Sequence, residues 1–181
     1  MGALSAAGNV SAAAPMLSIR KAEESDFDSI WPIFKAVVAT GDTYVLSPTT
    51  PREDAFRYWF GPGIATYVAE DNGVIVGMYK LIPNQRDLGS HVANAAFMVS
   101  PEIHGRGIGK LLGQHCLKEA RRAGYLAMQF NYVVSTNEMA VALWMKLGFS
   151  IVGTIPKAFR HEKLGYVDVH IMHRFLHDID P

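Results

Sequence analysis

The sequence predicts an α/β fold, a mixed central sheet of about seven strands flanked by about four helices, and three observations carry that expectation. Apolar residues switch repeatedly between the two-residue period of a strand and the 3.6-residue period of a helix. A strand–helix–strand–helix–strand run occupies the middle of the chain, which requires crossovers and hence parallel pairing beside antiparallel hairpins at either end. With 181 residues, 49% of them hydrophobic, the chain is long enough to enclose one sizeable core.

Residues 1–15 are small, without a charged opening or a long apolar run, and read as a flexible tail ahead of a single domain over 16–181. Leu17 and Ile19 alternate with polar neighbours as a short strand. Ser25 with Asp28 marks the start of a helix through Phe27, Ile30, Ile33, Phe34 and Val37, with Pro32 inside it. Gly41 to Pro51 is rich in turn formers and reads as a loop, followed by a short helix through Phe56, Tyr58, Trp59 and Phe60. Tyr67–Glu70 and Val74–Leu81 flank Asp71-Asn72-Gly73, a hairpin sequence. Val92–Val99 is an apolar strand interrupted by Asn94. After a glycine-rich turn a helix runs to Ala123 and closes on Gly124. Ala127–Val134 is the next strand, interrupted by Asn131. Ser135 and Glu138 read as the capping box of a helix ending at Leu147-Gly148, and Ser150–Ile155 and Val167–Phe175 are the last two strands.

Composition excludes several functions. Seventeen basic and seventeen acidic residues cancel and no basic run occurs, so no nucleic-acid partner is expected. No eighteen apolar residues run together, so no membrane span is expected. Cys116, the only cysteine, rules out an internal disulfide and suits the reducing cytoplasm. It lies four residues from both Leu112 and Ala120, on the apolar stripe of its helix, and reads as core. The seven histidines lack ligand spacing, so no metal is assigned.

The stretch from Val99 to Leu112 carries the chemistry. It joins a strand to a glycine-rich turn and then to an amphipathic helix, a geometry built for a pyrophosphate. Gly105, Gly107 and Gly109 let an anion approach the backbone, and the free N–H groups at the helix start, including those of Ile108 and Lys110, point into the same space. Arg106 and Lys110 add positive charge to the helix dipole. A Walker loop is excluded because His104 stands where its first glycine belongs and Leu111 follows Lys110. The glycine spacing also fails the dinucleotide fingerprint.

His104-Gly-Arg-Gly107-Ile-Gly109 instead resembles the acetyl-CoA motif Gln/Arg-x-x-Gly-x-Gly/Ala of the GCN5-related N-acetyltransferase (GNAT) superfamily, with His104 departing at the first position. Asn137-Glu-Met-Ala140, continuing through Leu143-Trp144 to Gly148-Phe149, resembles the superfamily's second segment. The resemblance implies acetyl-CoA as cosubstrate and two parallel strands, here Val92–Val99 and Ala127–Val134, that splay apart to admit the pantetheine arm. It places backbone groups near Phe97 and Val99, the carboxamide of Asn137 and the loop from His104 to Lys110 against the cofactor. Homodimers are common among such relatives, so the resemblance allows one here.

Acetyl transfer to an amine needs donors for a developing oxyanion, and the amide of Met98 or its neighbours is the expected source. Where many relatives carry a tyrosine that protonates the departing sulfur, this chain has Trp144, which also reads as packing. Asn94 and Asn131 each interrupt an apolar cleft strand. They read either as backbone partners in a bulge or as catalytic, acceptor-binding amides that hold a substrate without a net charge in the core. Glu70 reads as a solvated strand end or a water-mediated base. Tyr44, Tyr79 and the loop Arg160–Tyr166 are candidate acceptor walls. The stretch Met128–Asn137 with Leu143–Phe149 is similar to acetyltransferases that detoxify proline analogues such as azetidine-2-carboxylate. The expected function is therefore N-acetylation of a small-molecule amine, with a protein N-terminal or lysine acetyltransferase and a non-catalytic CoA-binding sensor as alternatives.

Overall fold

Strands β1 (Leu17–Lys21), β2 (Ala65–Asp71), β3 (Val74–Pro83), β4 (Val92–Val99), β5 (Ala127–Val134), β6 (Ser150–His161) and β7 (Gly165–Phe175) form one sheet in the order β1-β2-β3-β4-β5-β7-β6. Helices α1 (Phe27–Val38), α2 (Arg52–Phe60), α3 (Ile108–Arg122) and α4 (Glu138–Lys146) cover it. This computed structural model describes residues 17–103 and 105–181; the tail expected over 1–15, and His104, lie outside the described residues. Only β4 and β5 pair in parallel, joined by the α3 crossover, and every other neighbouring pair is antiparallel.

Each face of the sheet buries its own core. On one, Phe27, Ile30, Phe34 and Val38 of α1 and Trp59 of α2 pack against Val68, Met78 and Met98. On the other, Leu112, Cys116 and Ala120 of α3 and Trp144 of α4 pack against Tyr79, Leu81, Ala93, Met128, Phe130 and Met172. Strand side chains alternate between the two faces, so β4 sends Met98 to one core and Phe97 to the other. The β2–β3 turn is as predicted, with Asn72 and Gly73 both at positive φ. No helix among the described residues is long and apolar enough to cross a membrane.

Three local expectations are corrected. The first helix is entered through a 3₁₀ turn over Glu24–Asp26 that contains Ser25, and the carboxylate of Asp26 accepts the Glu23 N–H at 2.8 Å. Ser135 is still tied to β7 through its N–H and the Asp168 carbonyl, so α4 starts two residues later and Asn137 caps it by accepting the Ala140 N–H at 3.2 Å. Strand β6 continues past Ile155 to His161 because it is an edge strand, where bulges absorb Pro156 and the positive φ of Lys157.

Arg20 on β1 forks between Asp26, at 2.7 and 2.8 Å, and Glu70 of β2, at 2.6 and 3.1 Å. Glu70 is therefore half of an ion pair on the β1–β2 side of the sheet rather than a base at the cleft. The hydrogen bonds from Arg20 hold the Asp26 carboxyl below its ordinary range despite partial burial. A depressed folded pKa contributes stability above the unfolded carboxylate value of about 3.9 and loses it as pH falls through the folded pKa. Arg20→Met should thus cost about 1 kcal/mol at neutral pH, given that the Arg20 side chain is 40% exposed. Urea melts should show that difference shrinking below about pH 4; an unchanged difference there would remove Asp26 from the account.

Candidate functional site

Strands β4 and β5 pair only at Val92↔Ala127 and Ala93↔Met128. Beyond Ala93 they part, and the gap opens into a cavity of about 230 Å³. Phe97, Phe130 and Trp144 close its apolar side, with ring centroids 4.7–6.0 Å apart. Trp144 is 8% exposed and wedged between Phe97 and Phe130, so packing accounts for it. No acidic or basic side chain lines the cavity among the described residues.

The β3–β4 register decides which main-chain groups face the gap. Asn84 N–H donates to Val92 C=O at 2.7 Å and Ser100 N–H to Val76 C=O at 2.9 Å, so the even-numbered residues of β4 exchange their bonds with β3. Met98, opposite Met78, is one of these, and its side chain is buried beneath α1. The amide expected at Met98 is therefore turned away from the gap, and its neighbour Phe97 presents one instead. The Phe97 N–H donates to the Tyr44 hydroxyl at 3.1 Å, and that hydroxyl donates to the Phe97 carbonyl. By the same alternation the N–H and C=O of Val99 face the gap.

Asn94 and Asn131 both line the cavity but do not bond each other. The Oδ1 of Asn94 accepts the Ala95 N–H at 2.8 Å, capping the first unpaired amide past the fork. Asn131 accepts from Gln129 Nε2 at 2.7 Å and donates to Asn84 Oδ1 at 2.6 Å. Each of its two polar atoms keeps unused bonding capacity. Asn84 and Gln129 were not singled out from the sequence, because nothing local marks a strand-end amide as a support. Asn137 also lines the cavity, and its Oδ1 caps α4.

The turn after β4 has the conformation its glycines predict. Gly105 has φ +77° and Gly107, the N-cap of α3, φ +73°. A Cβ at either would meet nothing within 4 Å, so the backbone angle is what requires glycine. Ile108, Gly109 and Lys110 supply the first helical N–H groups, which have no intrahelical acceptor. Arg106 is held at the rim by Asp71 at 2.5 Å, so it shares its charge with a carboxylate.

Burial tunes the surrounding titratable groups. It pushes the Tyr44 hydroxyl up and that of Tyr58 to about 12, so both stay protonated at neutral pH. Lys80 is brought down to about 8 by burial, with Nζ 2.9 Å from the Tyr58 carbonyl and 3.2 Å from its ring centroid. Burial likewise raises the Cys116 thiol, which sits in the α3 core. Tyr79 hydrogen-bonds His115 at 2.7 Å within that core and is not a cavity wall. The Arg160–Tyr166 segment is the tip of the β6–β7 hairpin, and Glu162 N–H donates to Gly41 C=O at 3.0 Å, at the start of the Tyr44 loop.

The site thus joins a parallel pair split open beyond Ala93, a main-chain edge facing the gap, and a glycine-rich turn at the start of α3. The sequence pattern of the acetyltransferase (GNAT) family matches residues 28–149, and the chain belongs to that family, whose members use acetyl-CoA. It is 31% identical over 153 residues to the N-acetyltransferase aca1 of Schizosaccharomyces pombe, covering 74% of this chain and 72% of that protein. It is 26% identical over 146 residues to the L-amino acid N-acyltransferase MnaT of Escherichia coli, covering 78% and 84%. A GCN5-related N-acetyltransferase from Kribbella flavida superposes with a TM-score of 0.84 at 44% identity, covering 88% of this chain and 97% of that one. The chain is an acetyl-CoA-dependent N-acetyltransferase. The open edge at Phe97 and Val99 and the positive-φ glycines beyond it fit that donor.

Proposed function

We propose that this enzyme transfers acetyl from acetyl-CoA directly to the amine of a small molecule of the amino-acid class. The observation that carries this reading is the cavity wall itself, which offers the neutral amides Asn94 and Asn131, the latter braced by Asn84 and Gln129, and, among the described residues, no carboxylate to attract a polycation. An amide both donates and accepts, so such a wall suits a zwitterionic acceptor. MnaT is by name an L-amino acid N-acyltransferase, and a Salmonella typhimurium relative, 27% identical over 148 residues, acts by name on L-methionine sulfoximine and L-methionine sulfone.

In this reading the N–H groups from Gly105 to Lys110 hold the diphosphate, with Arg106 and Lys110 adding charge. The Phe97 carbonyl and the main chain of Val99 pair with the pantetheine arm, and Asn137 donates to it. Bound acetyl-CoA supplies an activated acyl group and a thiol leaving group of moderate pKa, about 8.5 by analogy with free cysteine. Asn94 and Asn131 orient the acceptor across the fork. Azetidine-2-carboxylate and proline belong in the test set because of the narrower resemblance between Met128 and Phe149.

Thiol release from acetyl-CoA, followed across free L-amino acids, azetidine-2-carboxylate and short peptides, tests the proposal. Turnover of at least one free amino acid, with peptides slower by about tenfold, is expected. Turnover of peptides alone would make this a protein acetyltransferase.

A further inference from the structure

We propose that Tyr44 is a catalytic residue, its hydroxyl joining the Phe97 N–H in a two-donor seat for the carbonyl oxygen of the acyl group. This rests on the acetyl-CoA reading above and extends it to a side chain from the loop between α1 and α2.

The Ala95 N–H is held by the side chain of the adjacent Asn94, and the next amide facing the gap, that of Phe97, is held by a hydroxyl from a separate loop. An oxygen accepting from that amide must stand about 3 Å from its nitrogen. The Tyr44 hydroxyl oxygen stands there now, 3.1 Å away, and its proton is directed at the carbonyl of the same residue. When an acyl oxygen takes this place, the smallest displacement of Tyr44 leaves its hydroxyl beside the newcomer, with the proton free to be redirected to it.

Three further observations support the assignment. Burial keeps the Tyr44 hydroxyl protonated, so toward an electron-rich oxygen it acts as a donor. No acidic or basic side chain among the described residues lines the cavity to compete for the role. The loop is fastened at its start by the Glu162 N–H bond to Gly41, three residues before Tyr44, so the hydroxyl is held near the fork.

The chemistry needs such a seat. As the lone pair of the neutral amine forms the C–N bond, the π pair of the thioester carbonyl moves onto oxygen. As that pair returns, the C–S pair leaves on sulfur as thiolate and the proton shed by nitrogen passes to water. Charge gathers on oxygen only between these events, and donors aimed at it lower the barrier.

Tyr44→Phe keeps the ring and removes the donor. Turnover should fall about tenfold or more, with the KM for acetyl-CoA changed by less than about threefold. The infrared carbonyl band of bound acetyl-CoA, labelled with ¹³C at the acetyl carbonyl, should move to higher frequency in Tyr44→Phe than in the unaltered enzyme. Incorporation of 3,5-difluorotyrosine at position 44, a stronger donor of nearly the same shape, should move the band the other way, and it serves as the test if the phenylalanine variant does not fold. A band that stays in place in either variant would overturn the proposal. Calorimetry separates the two levels: an unaltered enzyme that takes up no acetyl-CoA refutes the cofactor reading, whereas normal uptake with an unmoved band refutes only the role of Tyr44.

Discussion

Replacing Gly107 by valine should weaken acetyl-CoA binding about 100-fold or more, a loss of about 2.8 kcal/mol. Gly107 caps α3 at φ +73°, where a β-branched residue is a genuine outlier. Its Cβ would meet no neighbour within 4 Å, so the variant can fold with a modest loss of stability. Relief of the strain must rotate the peptide planes next to Gly107, and with them the N–H groups that face the diphosphate. Gly109→Ala is the contrasting case. That residue is already helical and its added Cβ would meet only Leu143 Cδ2 at 3.5 Å, so binding should stay within about threefold. Calorimetry on both variants is decisive: a Gly107→Val enzyme that binds as tightly as Gly109→Ala would show that the turn does not hold the cofactor.

Asn131→Ala should lower kcat/KM for the acceptor on the order of 100-fold while acetyl-CoA affinity holds within about twofold. The substitution removes the group braced between Gln129 and Asn84 and leaves both partners unpaired in a partly buried site. Asn84→Ala takes away only one brace. The side chain of Asn131 remains but rotates more freely, so a decrease of about tenfold in kcat/KM is expected. Steady-state kinetics with the best free amino acid distinguish the two. Unchanged acceptor kinetics in Asn131→Ala would withdraw the residue from the acceptor site.

What could be read from the sequence was local in the chain. The limits of β4 and β5 match their apolar runs, and the hairpin at Asn72-Gly73 and the glycine turn before α3 announce themselves within a few residues. The half of the site proposed to hold the cofactor belongs to this class, because a strand, a turn and a helix start supply it in succession. The side chains proposed to meet the acyl group and the acceptor do not. Tyr44 meets Phe97 across 53 residues and Asn131 meets Asn84 across 47, and no periodicity joins such partners. Whether Met98 or Phe97 offers its amide depends on how β4 registers with β3, a one-residue parity that the composition of β4 does not encode. Glu70 looked available for the same reason, since its partner Arg20 lies 50 residues away. The reach of β6 was hidden because Gly153 and Pro156 look like strand breakers, and only its place at the sheet edge makes them tolerable.

The tie between Glu162 and Gly41 fastens two distant segments, the β6–β7 tip and the start of the Tyr44 loop, to each other. A side-chain exchange at the hairpin tip can therefore reach the Tyr44 hydroxyl, and through it the Phe97 amide, without altering the main chain of the glycine turn.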